Sequence, residues 1–525
     1  VLFHSYLCRA PRGMEITMQQ TIYNFVINHL DEHGRFTETV LSDTNYETIP
    51  RPLGSEDAFY YSTSIESNIP VAMDLVELMQ NYVNEPSQAN RSALYEKLKG
   101  QVFAAYCDPF MSSYTAEAKN DAAYDLARRF FYNAQHREHV KFALLLFGIY
   151  GMKSIHDQDS ELWQDIVKIA HCEEFTFPFL LACRISSFIP QPVIWELIRC
   201  TNAWGRVFAI TDCQCQDDEQ RLWLLENGTD ISVEYPPLSI KFITETHLEE
   251  QLQKPLTYEQ YKSAVVIVGN YLILLNHTPL KKIEESFNIT SIDLPKLLKL
   301  ILEQSQQHIH KPEDILDMLS YAQALRSLVD ENNLSQFSQN EAQVLIASFE
   351  NIIYSRDMTE EILANLIKDE EVNYTLCDLA VEMEIDIWQL LFDFWKKHPM
   401  EIELFPYLLS YEGSDRSKQV LKYISRHLPE YSIDSGSLLV PLRYLSIHPG
   451  EGEAIVCAAL TSIYDLTRGI ACGILDEWPP ELITPAIRNA LMEGRKLSNN
   501  DVVTARIDCL LQGKKFRIDK FMKTS

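Results

Sequence analysis

The sequence predicts an all-α chain built from stacked helical hairpins, an α-solenoid with no substantial β-sheet. Apolar residues recur at helical spacing along most of its length, as in "TIYNFVINHLDEHG", "EHVKFALLLFGIYG" and "EDILDMLSYAQALRSLV". Strict alternation of polar and apolar residues, the pattern of a half-buried strand, does not extend over long stretches. Most apolar stretches span about three to four turns between short polar breaks, the spacing of helical repeats.

Prolines and glycines predict where helices begin and end. A proline at the first helical position loses no hydrogen bond, which predicts helix starts at Pro192, at Pro236 or Pro237, and at Pro480. A glycine after an apolar stretch can close the last turn in a left-handed conformation. Four glycines follow such stretches: Gly34, Gly228, Gly494 and Gly513.

One internal similarity indicates a repeat. The stretches "WGRVFAITDCQCQDDEQRLWLLENG" and "LTRGIACGILDEWPPELITPAIRNALMEG" share Arg-x-x-Ala, then a break and a second helix that ends in glycine. Aligning Arg206 with Arg468 places Cys213 opposite Leu475, which predicts that Cys213 packs in the core. Cys215 then lies in the turn before a helix that Asp217 or Asp218 can cap.

Four regions are expected along the chain. A poorly ordered leader spans residues 1–17, and an N-terminal helix with a long irregular segment spans 18–68. The irregular part, 35–68, is long for a loop, so it either has a function or wraps the first helices. An N-terminal helical array over 69–335 and a C-terminal helical-repeat array over 336–525 meet at a polar break.

Composition limits the possible partners. Lys and Arg total 46 against 74 Asp and Glu, a formal charge of -28, which repels phosphate backbones and anionic membranes. We therefore expect neither nucleic acid nor membrane as a partner. Eleven scattered cysteines without a framework spacing predict free thiols in a reducing compartment, and hence a cytoplasmic protein.

No catalytic or cofactor motif is visible in the sequence. The glycine patterns of dinucleotide and nucleotide sites, H-E-x-x-H and G-x-S-x-G are all missing, as are motifs for metal, haem or flavin. The glycine-rich "HPGEGEAIV" carries Glu451 and Glu453 where a phosphate would lie, so a turn is predicted there. The histidine pairs lack further ligands and are interpreted as solvated or capping residues: His29 and His33, His136 and His139, and His308 and His310.

Three residues of the repeat motif are the candidate site positions: Trp204, Arg206 and Arg468. The two arginines either pair with an acidic residue of a neighbouring turn or face a ligand. The candidate acidic partners are Asp217, Asp218 and Asp476. Trp204 is either a packing aromatic of the repeat or a stacking platform.

The phrases "NAWGRVFAI", "TIYNFVINHLDEHGRF" and "LLVPLRYLSIHPGEGEAIVCAAL" resemble the limonene hydroxylase family, HEAT-like helical proteins of bacilli. The resemblance covers most of the chain from Met18. It implies an apolar monoterpene substrate, monooxygenation of limonene to carveol and perillyl alcohol, and NAD(P)-dependent oxidation of these alcohols. It supplies no catalytic or cofactor-binding residues. The alternative is a non-enzymatic α-solenoid scaffold that binds a peptide or protein on its concave face; the acidic charge favours a basic or neutral ligand.

Overall fold

The structure is a computed structural model of the chain. It describes residues 20–44, 51–62, 67–114, 120–287, 289, 292–331, 336–355, 357–409, 415–431, 437–498 and 500–516. The predicted leader, 1–17, lies outside the described residues. The chain divides into two compact units: unit 1 comprises residues 1–309 and 317–353, and unit 2 comprises residues 310–316 and 354–525. The division thus falls after Ile353, later than the boundary expected between 335 and 336.

Unit 1 is built from α-helices, apart from residues 29–44 and shorter connections. Its helices are α1 Ile22–Asn28, α2 Ser55–Ser62, α3 Ile69–Asn84, α4 Gln88–Leu98, α5 Phe103–Ser113, α6 Asp121–Asn133, α7 Arg137–Tyr150, α8 Met152–Gln158, α9 Ser160–Ala170, α10 Glu173–Ile185, α11 Gln191–Cys200, α12 Ala203–Asp212, α13 Asp218–Asn227, α14 Leu238–Glu245, α15 Leu248–Leu252, α16 Tyr258–His277, α17 Leu280–Phe287, α18 Leu294–His308, α19 Pro312–Asp330 and α20 Gln339–Tyr354. The first residues of α19, up to Leu316, belong to unit 2.

Unit 2 continues the helical pattern. Its helices are α21 Thr359–Asn365, α22 Tyr374–Glu382, α23 Trp388–Trp395, α24 Phe405–Leu409, α25 Asp415–Arg426, α26 Leu428–Tyr431, α27 Leu439–Ile447, α28 Glu453–Leu460, α29 Asp465–Glu477, α30 Pro485–Leu497 and α31 Asp501–Leu511, with 3-10 helices at Ile402–Leu404 and Pro480–Leu482. Two short antiparallel strands, β1 Ile367–Lys368 and β2 Glu371–Val372, form the sheet seen in the described residues. The all-α prediction is confirmed.

Successive helices stack against one another within each unit, as expected for an α-solenoid. In unit 1, α7 packs against α6 and α10, α10 packs against α12, and α12, α14 and α16 follow in order. Helix α7 is the centre of this array, because every residue from Glu138 to Gly148 is buried. In unit 2, α27, α29 and α31 pack in one row while α28 packs against α30. Each helix therefore buries its apolar face against neighbours near in sequence.

The segment predicted to be irregular contains one helix, α2. Gly54 precedes it with a φ of +75°, and a Cβ at Gly54 would lie 2.8 Å from the carbonyl oxygen of Glu173. Only glycine combines this backbone conformation with so close an approach. Acidic residues in the first turn of α2, Glu56 and Asp57, favour the helix N-terminus. Residues 35–44 are irregular as predicted, whereas α2 was not predicted, because burial of Asp57 and Ala58, which sequence spacing does not reveal, fixes this turn.

The proline predictions are confirmed and most of the glycine predictions are wrong. Pro192 lies in the first turn of α11, Pro237 directly precedes α14 and Pro480 begins a 3-10 helix. Among the glycines, Gly513 follows α31 with a φ of +68°. Gly34 has a positive φ but lies in a turn beyond the end of α1, Gly228 ends α13 in a right-handed conformation, and Gly494 lies inside α30.

No single helix in the described parts of the chain has both the length and the apolar character needed to cross a bilayer. The pair α16 and α17 meets the requirement only when joined, and the two helices are bent by 114° at their junction.

Candidate functional site

A buried ionic cluster lies at the centre of unit 1. The ammonium of Lys141 on α7 contacts three carboxylates: Asp57 Oδ2 at 2.8 Å, Glu138 Oε1 at 2.9 Å and Glu174 Oε1 at 2.7 Å. The Lys141 side chain is 1% exposed, and those of its partners are at most 7% exposed. Because burying a charge is costly unless it is paired, this contact fixes the relative positions of α2, α7 and α10.

A second set of contacts extends the cluster to residues 29–44, which follow α1 and which we call the N-terminal loop. The guanidinium of Arg137 donates two hydrogen bonds to Asp43, at 2.7 Å from Nη2 and 3.0 Å from Nε. Arg137 also lies 3.5 Å from Glu174. The backbone N–H of Gly54 donates to Glu174 Oε2 at 2.8 Å. Side chains of α7 and α10 therefore hold the segment before α2 at two separate points.

The cluster has fewer cations than carboxylates, two against four. Burial raises the pKa of Glu138 to about 8, because the attraction to Lys141 does not offset the cost of burying its charge. Glu138 Oε2 has no hydrogen-bond partner among the residues that the structure describes. Burial also raises the pKa of Asp57. Burial disfavours ionisation of Glu174 too, but Lys141 and Arg137 outweigh it and lower its pKa to about 2. Glu138 is therefore the carboxyl that holds a proton near neutral pH.

His171, which ends α9, joins the turn after α1 to α11. Its Nδ1 lies 2.8 Å from the carbonyl oxygen of Gly34 and its Nε2 lies 3.1 Å from Glu196 Oε1. A carbonyl and a carboxylate only accept hydrogen bonds, so this environment favours the doubly protonated ring. Burial alone would lower the pKa of His171, but hydrogen bonds to Cys200, Glu196 and Gly34 raise it to about 10.

Five aromatic rings form a connected group beside the ionic cluster, and we call this group the aromatic edge: Tyr61, Phe177, Trp204, Phe208 and Tyr235. Phe177 and Phe208 are buried with ring centroids 4.8 Å apart. Tyr61 packs on both, at 5.4 and 5.9 Å, yet remains 52% exposed.

Trp204 and Tyr235 complete the aromatic edge. Their rings meet edge to face with centroids 5.6 Å apart, and Trp204 also lies 6.2 Å from Phe208. Both side chains are half-buried. Burial raises the pKa of Tyr235, and the neighbouring Tyr61 adds to this rise. The edge thus has a buried base of phenylalanines and a partly exposed surface of tyrosine and tryptophan.

Arg206 connects two loops beside the aromatic edge. Its Nε donates to the carbonyl of Thr201 at 3.0 Å, and its Nη1 donates to the carbonyl of Asp230 at 2.6 Å. The predicted acidic partners are occupied elsewhere: Asp217 caps α13 and Asp218 pairs with Arg221. Arg206 is therefore a structural residue, although backbone carbonyls replace the carboxylate that we expected.

Arg468 has the equivalent position in unit 2. Its side chain is 1% exposed, pairs with Asp465 at 2.5 Å and donates to the carbonyls of Ser462 and Leu497. As with Arg206, one carbonyl precedes the arginine's own helix, and the other lies at the end of the next long helix, where Leu497 is the last residue of α30. Asp476, the expected partner, instead lies 3.0 Å from Arg506. The shared bonding pattern supports the internal similarity on which the repeat prediction rests.

Cys213 and Cys215 have the packing roles predicted for them. Cys213 is fully buried at the end of α12. The backbone N–H of Cys215 donates to Glu245 Oε2 at 2.9 Å. Burial raises the pKa of Cys213 to about 12 and that of Cys215 to about 11. Both sulfurs are thus protonated near neutral pH.

The interpretation of the histidines as solvated or capping residues is correct for some and wrong for one. His29 caps α1 and His136 begins α7. His139 is fully buried, where its ring stacks on Tyr95 and its Nε2 lies 2.7 Å from the Tyr95 carbonyl. Within the described residues, no group of three or more His, Cys, Asp or Glu side chains is arranged to hold a metal ion.

The glycine-rich turn before α28 does not suit the pyrophosphate of the NAD(P) that the sequence resemblance implies. Gly452 has a φ of +61° and precedes α28 in the glycine-rich turn, and Glu451 and Glu453 flank it. These carboxylates repel a pyrophosphate at that helix N-terminus. A cavity of about 690 Å³ in unit 2 is lined largely by polar and charged residues, including Lys311, Glu313, Lys368 and Glu371, which does not suit an apolar monoterpene.

Comparisons with known proteins do not place this chain in a family. No protein-family model and no curated protein matches it. A solved structure, "Circular tandem repeat protein with novel repeat topology and enhanced subunit contact surfaces", aligns over 87% of this chain and 96% of its own at 10% identity and a TM-score of 0.18. A TM-score this low supports no conclusion about this chain.

Sequence reasoning missed the ionic cluster. Neither Glu174 nor Lys141, which lies within "EHVKFALLLF", is among the candidate site positions predicted from the sequence. The available signal was a lysine inside an apolar run, because lysine is almost never fully buried unless it is paired. Its partner Asp57 lies 84 positions away, which no local pattern could indicate.

Proposed function

We propose that this protein is a helical-repeat scaffold that binds a basic segment of a peptide or protein at its aromatic edge. The observation that carries the proposal is the exposed half of the edge, formed by Tyr61, Trp204 and Tyr235. Tyrosine and tryptophan offer a large contact area at a low cost in conformational entropy, so they are enriched at binding surfaces. The scaffold proposed from the sequence was expected to bind on its concave face. The present proposal keeps the scaffold and names the aromatic edge as its binding surface.

The charge around the aromatic edge favours a basic ligand. Exposed acidic side chains lie on the segments that form it: Asp230 and Glu234 in the loop that leads to Tyr235, and Glu56 on α2, which lies 3.8 Å from the exposed Arg51. Arg206, the nearby half-buried cation, donates to backbone carbonyls. A lysine or arginine side chain of a ligand can lie over the tryptophan or tyrosine faces while the acidic residues attract it.

The buried ionic cluster fixes one of the helices that form the aromatic edge. Asp57 and Tyr61 lie four residues apart on α2, so the contact between Asp57 and Lys141 fixes the helix that carries Tyr61. A surface held in its binding conformation loses less entropy when a ligand binds.

Peptide titrations test this function. Fluorescent peptides of equal length and aliphatic content, with lysine and arginine, neutral, or aspartate and glutamate side chains, are titrated with the protein and followed by anisotropy. We expect binding of the basic peptides, weakened by salt, and no binding of the acidic peptides. Equal binding of all three classes, or of none, would contradict the proposal.

A monoterpene hydroxylase is a separate proposal that rests on the sequence resemblance alone. Its test is direct: purified protein receives limonene, NAD(P)H and oxygen, and carveol and perillyl alcohol are measured by gas chromatography. Product above a boiled control would support it, and the same turnover in a sample without this protein would contradict it.

A further inference from the structure

Helix α2 belongs to both the ionic cluster and the aromatic edge. Asp57, in its first turn, accepts hydrogen bonds from Lys141 Nζ at 2.8 Å and from the backbone N–H of Ala104 at 2.9 Å. Tyr61, one turn later, packs on Phe177 and Phe208. A change in the charge of the cluster therefore acts directly on the helix that carries the exposed ring.

Glu138 is the group whose charge can change. Its Oε1 shares the Lys141 ammonium with Asp57 and Glu174, and its Oε2 has no hydrogen-bond partner in the described part of the chain. Lys141 of α7, Asp57 of α2 and Glu174 of α10 act on it directly, and Arg137 of α7 and Tyr106 of α5 also interact with it. Next to these lie Asp43, which pairs with Arg137, Cys107 of α5, Cys172 of α10, and His139 of α7 with Tyr95 and Glu96 of α4. An ionised Glu138 would add a negative charge where carboxylates already exceed cations.

We propose that a proton on Glu138 holds α2 in place, and that its loss releases α2 and weakens ligand binding at the aromatic edge. This inference rests on the proposed function only for its second part. The first part, proton-dependent release of α2, stands on the geometry of the cluster.

The direction of the pH effect follows from the two states of Glu138. In the packed state its pKa is about 8, whereas an opened, hydrated Glu138 ionises near its usual value of 4.5. Between these two pH values, opening of α2 therefore releases a proton from Glu138. The equilibrium constant for opening of α2 then rises by up to about tenfold per pH unit. The proton's contribution to the free energy that keeps α2 packed is fully present below pH 4.5. It is lost as the pH rises through 8. Glu174, whose pKa is about 2, titrates outside this window.

Hydrogen exchange measures the release. Protection factors of the α2 amides, corrected for the intrinsic pH dependence of exchange, are compared at pH 6.0 and 7.5. We expect protection to fall by about tenfold or more in the unmutated protein. In Glu138→Gln, which is neutral at both pH values and of the same size, we expect no such fall. Constant protection in the unmutated protein, or the same fall in Glu138→Gln, would overturn the inference.

Infrared spectroscopy of the unmutated protein decides the question if Glu138→Gln does not fold. A buried protonated carboxyl absorbs separately from carboxylates, and its band should be present at pH 6.0 and disappear as the pH rises through about 8. Absence of such a band at pH 6.0 would overturn the inference.

Binding measurements separate the two proposals. Affinity for the basic peptide should fall at pH 7.5 relative to pH 6.0 in the unmutated protein and stay constant in Glu138→Gln. If α2 responds to pH but no peptide binds at either pH, the proposed function fails and the proton-dependent release stands. If the peptide binds equally at both pH values while α2 loses protection, the coupling is refuted.

Discussion

At the scale of single residues, Lys141 determines how the N-terminal part of unit 1 is held together. It is one positive charge among three carboxylates, and it is almost fully buried. Sequence spacing predicted the helix around Lys141 correctly, because helical periodicity is a local property. It did not predict the cluster, because the partners of Lys141 come from other helices.

Replacing Lys141 should therefore destabilise the protein strongly. We expect Lys141→Ala to lower the free energy of unfolding by about 3–5 kcal/mol, because it leaves buried carboxylates without their cation. Lys153→Ala is the matched control: Lys153 is 66% exposed and pairs with Asp157 within one helix. The control should change stability by about 0.5 kcal/mol or less. Urea titrations measure both, and equal losses would contradict the structural role of the cluster.

Gly34 tests the contact between His171 and the N-terminal turn. Gly34 and Gly100 have nearly the same φ, +75° and +74°, so alanine is strained at both by about 1–2 kcal/mol. A Cβ at Gly34 would also lie 2.8 Å from His171 Nδ1, whereas a Cβ at Gly100 would have none of the described residues within 4 Å. We expect Gly34→Ala to cost at least about 1 kcal/mol more than Gly100→Ala in urea titrations. A smaller loss at Gly34 would show that the His171 contact contributes nothing.

At the scale of helices, local rules predicted starts better than ends. Pro192, Pro237 and Pro480 lie at helix starts, because the missing N–H of proline restricts its position whatever surrounds it. Gly494 was wrongly predicted to end a helix. It lies inside α30, where a Cβ would be 2.3 Å from the carbonyl oxygen of Leu460 at the end of α28. This glycine is needed for packing between helices, and a single sequence does not distinguish that role from a helix end.

Alanine at Gly494 should consequently force α28 and α30 apart. We expect Gly494→Ala to destabilise the protein by about 1–3 kcal/mol, despite the better helix propensity of alanine. Gly469, inside α29, is the control, because its nearest neighbour would be Val503 Cγ2 at 3.4 Å. Gly469→Ala should be neutral or stabilising by up to about 1 kcal/mol. Thermal unfolding of the two variants compares them, and a stable Gly494→Ala would refute the packing role.

At the scale of the whole molecule, the all-α fold class that the sequence predicted is confirmed, whereas the preference for a basic or neutral ligand stays a prediction. The sequence did not predict the binding surface, because the aromatic edge combines residues from α2, α10, α12 and the loop before α14. Trp204 was a candidate from the repeat motif. Its neighbours Tyr61 and Tyr235 carry no local signal, and only the stacking of helices brings them together.

The most direct measurement is the affinity of a lysine- and arginine-containing peptide for Trp204→Ala, compared with Tyr354→Ala. Tyr354 is 65% exposed at the end of α20 and is not part of the aromatic edge, so it controls for the general loss of an exposed ring. We predict that Trp204→Ala weakens binding by about tenfold or more, the effect of removing a central aromatic contact. Tyr354→Ala should bind as the unmutated protein does. Equal affinity of both variants would contradict the assignment of the aromatic edge as the binding surface.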